Sequence, residues 1–179
     1  GLMNEPHDLT PETSWFDMAQ ASINAIREVD TNTLIMVGGN DWSSAERWIE
    51  QSDTLKYLKD PANNLAFEAH VYFDKDASGT YKYSYEEEEC YPEKGIDRVK
   101  PFVEWIKQNK FHGFIGEYGI PDNDPRWNET LDLFLGYLQE NGINGTYWAA
   151  GPWWDSYFMA ITPKDGKDRP QMPIIEKYT

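Results

Sequence analysis

Five short apolar runs punctuate the chain: Gly1 to Asn4, Leu34 to Gly38, Leu65 to Tyr72, Gly113 to Glu117 and Gly145 to Ala149. Their markers Leu2, Leu34, Ala66, Phe114 and Thr146 stand 32, 32, 48 and 32 residues apart. Runs this short, bounded by Gly, Asn and Asp, read as strands. Between them the apolar period lengthens to that of a helix. Phe16, Ala19, Ile23 and Ile26 recur behind Thr10, which can cap a helix with Pro11 at its first position. A second helical stretch runs from Ser44 to about Leu58. A third carries Val99, Phe102, Trp105 and Ile106, and a fourth carries Leu131, Leu135 and Leu138 before an Asn141-Gly142 stop. The widest gap holds one extra stretch, Asp74 to about Lys94, whose Tyr, Glu and Gly content reads as a long loop. Strand and helix alternating at this interval predict βα units with parallel pairing.

The run from Leu65 to Tyr72 separates the two faces of its strand. Leu65, Phe67, Ala69 and Val71 fall on one side, and Glu68, His70 and Tyr72 on the other. A strand of an open doubly wound sheet is apolar on both faces. Oily outside and polar inside, with polarity rising toward the C-terminal end, is the pattern of a (β/α) barrel, whose chemistry sits at the C-terminal mouth. At 179 residues the length predicts one domain, spanning residues 1–179.

Composition narrows the ligand. A net charge of −15, from 31 acidic against 16 basic residues, disfavours a nucleic-acid partner or an anionic membrane surface. No apolar run approaches the roughly 20 residues that span a bilayer. Cys90 is the only cysteine, which excludes an internal disulfide and a thiolate metal cage. His7, His70 and His112 lack metal-ligand spacing, and Glu86 to Glu89 reads as a solvated acidic run, so neither a metal nor another cofactor is expected. Asn128-Glu129-Thr130 and Asn144-Gly145-Thr146 match glycosylation acceptors and read as chance occurrences. Eight tryptophans and eleven tyrosines, flanked by carboxylates and amides, suit a neutral polyhydroxylated ligand whose ring faces stack on aromatic rings.

The strand exits gather the chemistry. They read Asn4-Glu5-Pro6, then Gly38-Gly39-Asn40-Asp41-Trp42, His70-Val71-Tyr72, Gly116-Glu117-Tyr118-Gly119 and Trp148 through Trp154. Each residue alone has an ordinary structural explanation; two carboxylates, a histidine, a phenol and several indoles at successive exits do not. Paired carboxylates at a barrel mouth point to glycoside hydrolysis, one as acid/base and the other as nucleophile or base. Such pairs hold their protons apart because like charges oppose simultaneous ionisation.

Asn4-Glu5-Pro6, His70-x-Tyr72, Gly116-Glu117-Tyr118-Gly119 and Tyr147-Trp148 resemble, in order, the signatures of glycoside hydrolase family five, the cellulase-type retaining enzymes. The resemblance covers the chain as strands four to eight of an eight-stranded barrel. It implies a partial (β/α)8 barrel, an α/β parallel sheet with open edges. It also implies a retaining endo-β-1,4-glucanase of extracellular location that needs no cofactor and takes a polysaccharide or oligosaccharide substrate. On that resemblance Glu5 is the acid/base, Glu117 the nucleophile, and Asn4 the partner of a sugar 2-hydroxyl. Tyr72 supports Glu117, His70 lines the reacting subsite and Trp148 is its platform. Trp42, Trp153 and Trp154, on mouth loops, are further platform candidates.

The chain opens on Gly1-Leu2-Met3-Asn4-Glu5-Pro6 without an initiator Met, and the family's first three strands have no counterpart in it. Open edges at Gly1 to Asn4 and Gly145 to Ala149 predict self-association, or pairing with the remainder of a longer precursor. Two alternatives to an active glucanase stay open at this level: a half-barrel that binds oligosaccharide without cleaving it, and a fragment of a full-length glycanase.

Overall fold

The computed structural model describes every residue of the chain except Pro11. Among the described residues the helices are α1 (Trp15–Arg27), α2 (Asn40–Ser43, a single turn whose Asp41 and Trp42 leave helical backbone), α3 (Trp48–Ser52), α4 (Lys94–Asn109), α5 (Arg126–Glu140) and α6 (Met172–Ile175). The strands are β1 (Ile35–Gly38), β2 (Leu65–His70), β3 (His112–Tyr118) and β4 (Asn144–Tyr147). They form one sheet in the order β1-β2-β3-β4. β1 and β2 pair in parallel, Ile35 opposite Leu65 through to Gly38 opposite Glu68. A four-stranded parallel sheet flanked by helices is consistent with part of a (β/α) barrel. The chain divides into two compact units: residues 1–70 with 100–114, and residues 71–99 with 115–179.

Four strands stand where the apolar runs predict five. The first run forms no strand: Leu2 donates its N–H to the Met36 carbonyl at 3.0 Å. Asn4 and Glu5 then turn through a bend in which Glu5 has φ +44°. A left-handed residue cannot continue a pleated strand, so the extended run ends after its first bond. The helical expectations also shift. Thr10 does not cap α1. Its hydroxyl meets that of Thr13 at 3.0 Å, and its carbonyl accepts from the Thr13 N–H at 2.8 Å, closing a turn before the helix. Ser14 caps instead, accepting from the Asp17 N–H at 3.3 Å. The Pro11 position lies outside the described residues. The stretch from Ser44 to Leu58 is α3 followed by a 3-10 turn, Asp53–Tyr57. Ser52, at their junction, turns its hydroxyl to accept from the Asn40 N–H at 2.9 Å.

In the first unit the core is aromatic. Trp48, Phe67, Phe102 and Trp105 are buried, with ring centroids 4.6 to 5.4 Å apart in edge-on pairs. Phe67 therefore points toward the helices, as the alternation along β2 predicts. Arg27 anchors the polar rim of this unit. Its guanidinium grips Asp60 at 2.8 and 2.9 Å and the carbonyls of Asp30 and Thr33 at 3.0 and 2.8 Å. That hydrogen bond, aided by the Asn64 and Ala62 N–H groups, holds the Asp60 carboxyl down at about 2. A carboxyl held down in the folded state stabilises it above the ordinary carboxylate range, and loses that contribution as pH falls toward 2. Melting temperatures measured from pH 5 downward should fall less steeply in Asp60→Asn than in the wild type.

The second unit is built around the loop after β2. Asp74, 1 % exposed, accepts from the N–H groups of Gly79, Thr80 and Tyr81 at 3.0 to 3.2 Å and from the Ser78 hydroxyl at 3.1 Å. Glu88, 2 % exposed, accepts from the Lys75 and Tyr83 N–H groups at 2.8 Å each. Lys94 ties this loop to the start of α4 through the Glu88 carbonyl at 2.7 Å. The acidic run is therefore partly structural: Glu88 faces inward, while Glu87 and Glu89 stay near the surface. Thr130, inside an apparent glycosylation motif, is fully buried and bonded to the Tyr85 hydroxyl at 3.1 Å. At the end of α5, Gly142 adopts φ +65°, which lets the Ile143 N–H return to the Leu138 carbonyl at 3.0 Å.

Candidate active site

In the first unit, Glu5 is half-buried and its Oε1 lies 2.7 Å from Nδ1 of His70, itself 5 % exposed. The other ring nitrogen of His70 lies 3.5 Å from the Glu68 carboxylate. The His70 backbone is fixed as well, its carbonyl accepting from the Ala45 N–H at 3.0 Å. The Glu5–His70 bond is polar, short and reversible in sense. An imidazole N–H can donate to the carboxylate, or a carboxylic acid can donate to the ring nitrogen. Asn4 beside it is exposed.

Trp42 belongs to the same unit. Asp41, Trp42 and Ser43 all have φ between +54° and +56°, three consecutive non-glycine residues in left-handed backbone. Each costs roughly 1–2 kcal/mol. The Trp42 N–H donates to the Pro6 carbonyl at 3.3 Å, and Asp41 pairs with Arg47. The indole stacks on His7 with centroids 4.4 Å apart and planes 13° from parallel.

In the second unit, Tyr72 donates its hydroxyl to Oε2 of Glu117 at 2.7 Å. Burial, then the charge of Glu117, push the Tyr72 phenol far above its ordinary value, so it remains a donor across the working pH range. The Glu117 carbonyl accepts from the Val71 N–H at 3.0 Å, which fixes the strand beneath its side chain. Two residues support this pair from behind. Arg98, buried, donates to the Tyr72 carbonyl at 2.5 Å and the Lys75 carbonyl at 3.1 Å. Gly79, at φ +72°, passes so close that a Cβ there would lie 3.0 Å from the Tyr72 ring.

Trp148 follows β4, its N–H donating to the Tyr118 carbonyl at 2.8 Å. Gly119 makes that approach feasible, since a Cβ there would stand 2.5 Å from the Trp148 carbonyl oxygen. The Trp148 ring meets Trp154 at 4.9 Å, and Trp154 meets Tyr157 at 5.0 Å. The loop bearing these rings is closed at its base, where the Ile161 N–H reaches the Ala149 carbonyl at 3.0 Å and the Gly151 N–H reaches Thr162 Oγ1 at 2.8 Å. Trp153, at its tip, is 89 % exposed. Burial raises the Tyr157 phenol, and the charge of Glu117 raises it further.

The site residues named from sequence thus fall into defined settings: Glu5 with His70, Tyr72 with Glu117, Trp148 with Trp154, and Trp42 with His7. Asn4 and Trp153 face solvent. The sequence reading missed Arg98, Tyr157 and His7 as supports. Arg98 carried a signal, a charge four residues before Phe102 on the apolar stripe of its helix. Tyr157 carried none, because its loop has no period.

Polar side chains at the C-terminal ends of parallel strands, with indoles on the following loops, define the class: α/β proteins built from (β/α) units, whose sites lie at that end of the sheet. The family model for cellulase (glycosyl hydrolase family 5) matches residues 1–153, and the chain belongs to that family. It is 37 % identical over 181 residues to a probable endo-beta-1,4-glucanase B of Aspergillus kawachii, covering 98 % of this chain and 52 % of that protein. The crystal structure of Pseudomonas stutzeri endoglucanase Cel5A in complex with cellobiose superposes with a TM-score of 0.90 at 45 % identity, over 98 % of this chain and 52 % of that one. The endo-beta-1,4-glucanase Xac0029 of Xanthomonas axonopodis pv. citri gives 0.87 at 35 % identity, over 98 % and 57 %. The chain spans about half the length of the curated relatives it matches.

Proposed function

We propose that the protein is a retaining endo-β-1,4-glucanase acting outside the cell. Residues 1–179 belong to one catalytic-type domain, corresponding to strands four to eight of the family's barrel. Glu5, as the carboxylic acid, gives its proton to the glycosidic oxygen while the Glu117 carboxylate attacks the anomeric carbon. The bond to the leaving sugar breaks and a glycosyl ester forms. Glu5, now a carboxylate, takes a proton from water. The water oxygen attacks the same carbon, Glu117 leaves, and the anomeric configuration is retained. His70 keeps a hydrogen-bond partner for Glu5 in both protonation states. Trp148 is the platform under the reacting sugar, Asn4 holds its 2-hydroxyl, and Trp42, Trp153 and Trp154 extend the binding surface.

The observation that carries this reading is the 2.7 Å bond from Tyr72 to Glu117, a donor kept protonated against a carboxylate on a strand exit. It lies in a chain whose relatives are named endo-beta-1,4-glucanases. Reducing-sugar release from carboxymethylcellulose by the wild type, Glu5→Gln and Glu117→Gln tests it; equal release by all three overturns it. Oligosaccharide binding without turnover in the wild type would instead mark a binding half-barrel. Tyr72→Phe should lower kcat by roughly 10- to 100-fold with little change in KM, because a hydrogen bond to a charged group contributes about 1.5–3 kcal/mol.

Self-association through the outer strands is part of the same proposal. The edges proposed for it are Gly1 to Asn4, whose Leu2 bonds β1, and Gly145 to Ala149 at the β4 end of the strand order, where Asn144 and Thr146 are exposed. Sedimentation velocity should show a species heavier than one chain of 20.8 kDa; a monodisperse monomer counts against it.

A further inference from the structure

We infer that His7 is a positioning residue that sets the plane of the Trp42 indole, and with it the affinity for sugar units on the leaving-group side of the cleaved bond. This rests on the glucanase reading, in which Glu5 protonates the leaving group. His7 lies two residues beyond Glu5, and its ring lies against Trp42 at 4.4 Å and 13°. The backbone repeats the tie through the Trp42 N–H and the Pro6 carbonyl. His7 is itself oriented, with Nδ1 3.0 Å from Asp8 Oδ2.

Three features make His7 more than an incidental neighbour. Trp42 sits in a strained left-handed run, so its backbone conformation is held by its surroundings and not by local preference. The indole is 42 % exposed although His7 covers one face. An open cavity of about 390 Å³ lies beside the pair, with Asn40, Asp41 and Gln51 in its wall supplying groups that suit hydroxyls. A flat ring that stacks on a sugar works only if its plane is held, and an unbacked indole on a surface loop would lose rotamer freedom on binding. His7 removes that freedom before the ligand arrives.

The test is a double-mutant cycle on cellopentaose affinity by calorimetry, run in the Glu117→Gln background so that the ligand persists. His7→Ala should raise Kd roughly 3- to 10-fold, the scale of one aromatic pair. Trp42→Ala should raise it at least as much, and the double variant no further than Trp42→Ala alone. His7→Phe, which keeps a flat ring, should restore most of the affinity, and melting temperatures should not follow the same order. In the wild-type background the effect should fall on KM rather than kcat. Additive losses, or a His7→Phe variant as weak as His7→Ala, overturn the proposal. A protein that binds cellopentaose with the predicted coupling but never cleaves it would sink the glucanase reading and leave the role of His7 standing. Absence of binding overturns the His7 role directly.

Discussion

Glu117→Gln is expected to reduce kcat on β-1,4-glucan by ~10⁴-fold or more, the scale seen when a covalent nucleophile is removed. The substitution is nearly isosteric. The glutamine carbonyl oxygen can still accept from the Tyr72 hydroxyl, which the wild-type carboxylate receives at 2.7 Å. Folding and the donor that orients the side chain are therefore retained, and what disappears is the negatively charged carboxylate oxygen that forms the glycosyl ester. Circular dichroism should be close to wild type, and cellopentaose should bind and stay intact, while turnover is lost. A fluorinated cellobioside that traps the ester should lose its leaving group and add the mass of its fluorinated glycosyl group to the wild type and not to the variant. An ester recovered on a peptide lacking Glu117 would remove this residue from the nucleophile's role.

Glu5→Gln should fail in a different way. On polysaccharide, whose leaving group is a poor one, loss of the general acid should cost on the order of 10²- to 10⁴-fold in kcat. On dinitrophenyl cellobioside the leaving group departs without a proton, so the first step survives. The second step still lacks its base. Stopped-flow absorbance should show a burst of dinitrophenolate near one equivalent, followed by a slow phase. Glutamine can keep a hydrogen bond to His70, where Glu5 Oε1 and Nδ1 are 2.7 Å apart, so this difference reports on proton transfer and not on lost packing. Equal losses on both substrates, with no burst, would falsify the acid/base role.

Much of the fold was legible along the chain because its signals are local. The period of two along Leu65 to Tyr72 comes from the pleat of a strand, and it correctly sent Phe67 toward the helices. The stop at Asn141-Gly142 follows from glycine's tolerance of positive φ, seen at +65°. The errors arose where a local signal met a competing one. Thr10 is a good cap by type, but its hydroxyl bonded Thr13 and Ser14 took the position. Gly1 to Asn4 is apolar enough for a strand, yet the left-handed turn at Glu5 ends it.

The candidate site divides in the same manner. The sequence by itself determined the order of the motifs and, for Glu117 in β3 and Trp148 after β4, their places relative to a strand, since both depend on short periods and fixed motif spacing. Only the tertiary structure decided their partners. His70 meets Glu5 across 65 residues and Tyr72 meets Glu117 across 45. Neither separation leaves a periodic trace, because such contacts are made by distant segments brought together rather than by neighbours along one element. The same is true of His7 under Trp42 and of Tyr157 behind Trp154, which lie on loops where backbone dihedrals follow from surrounding contacts and not from any repeating hydrogen-bond pattern.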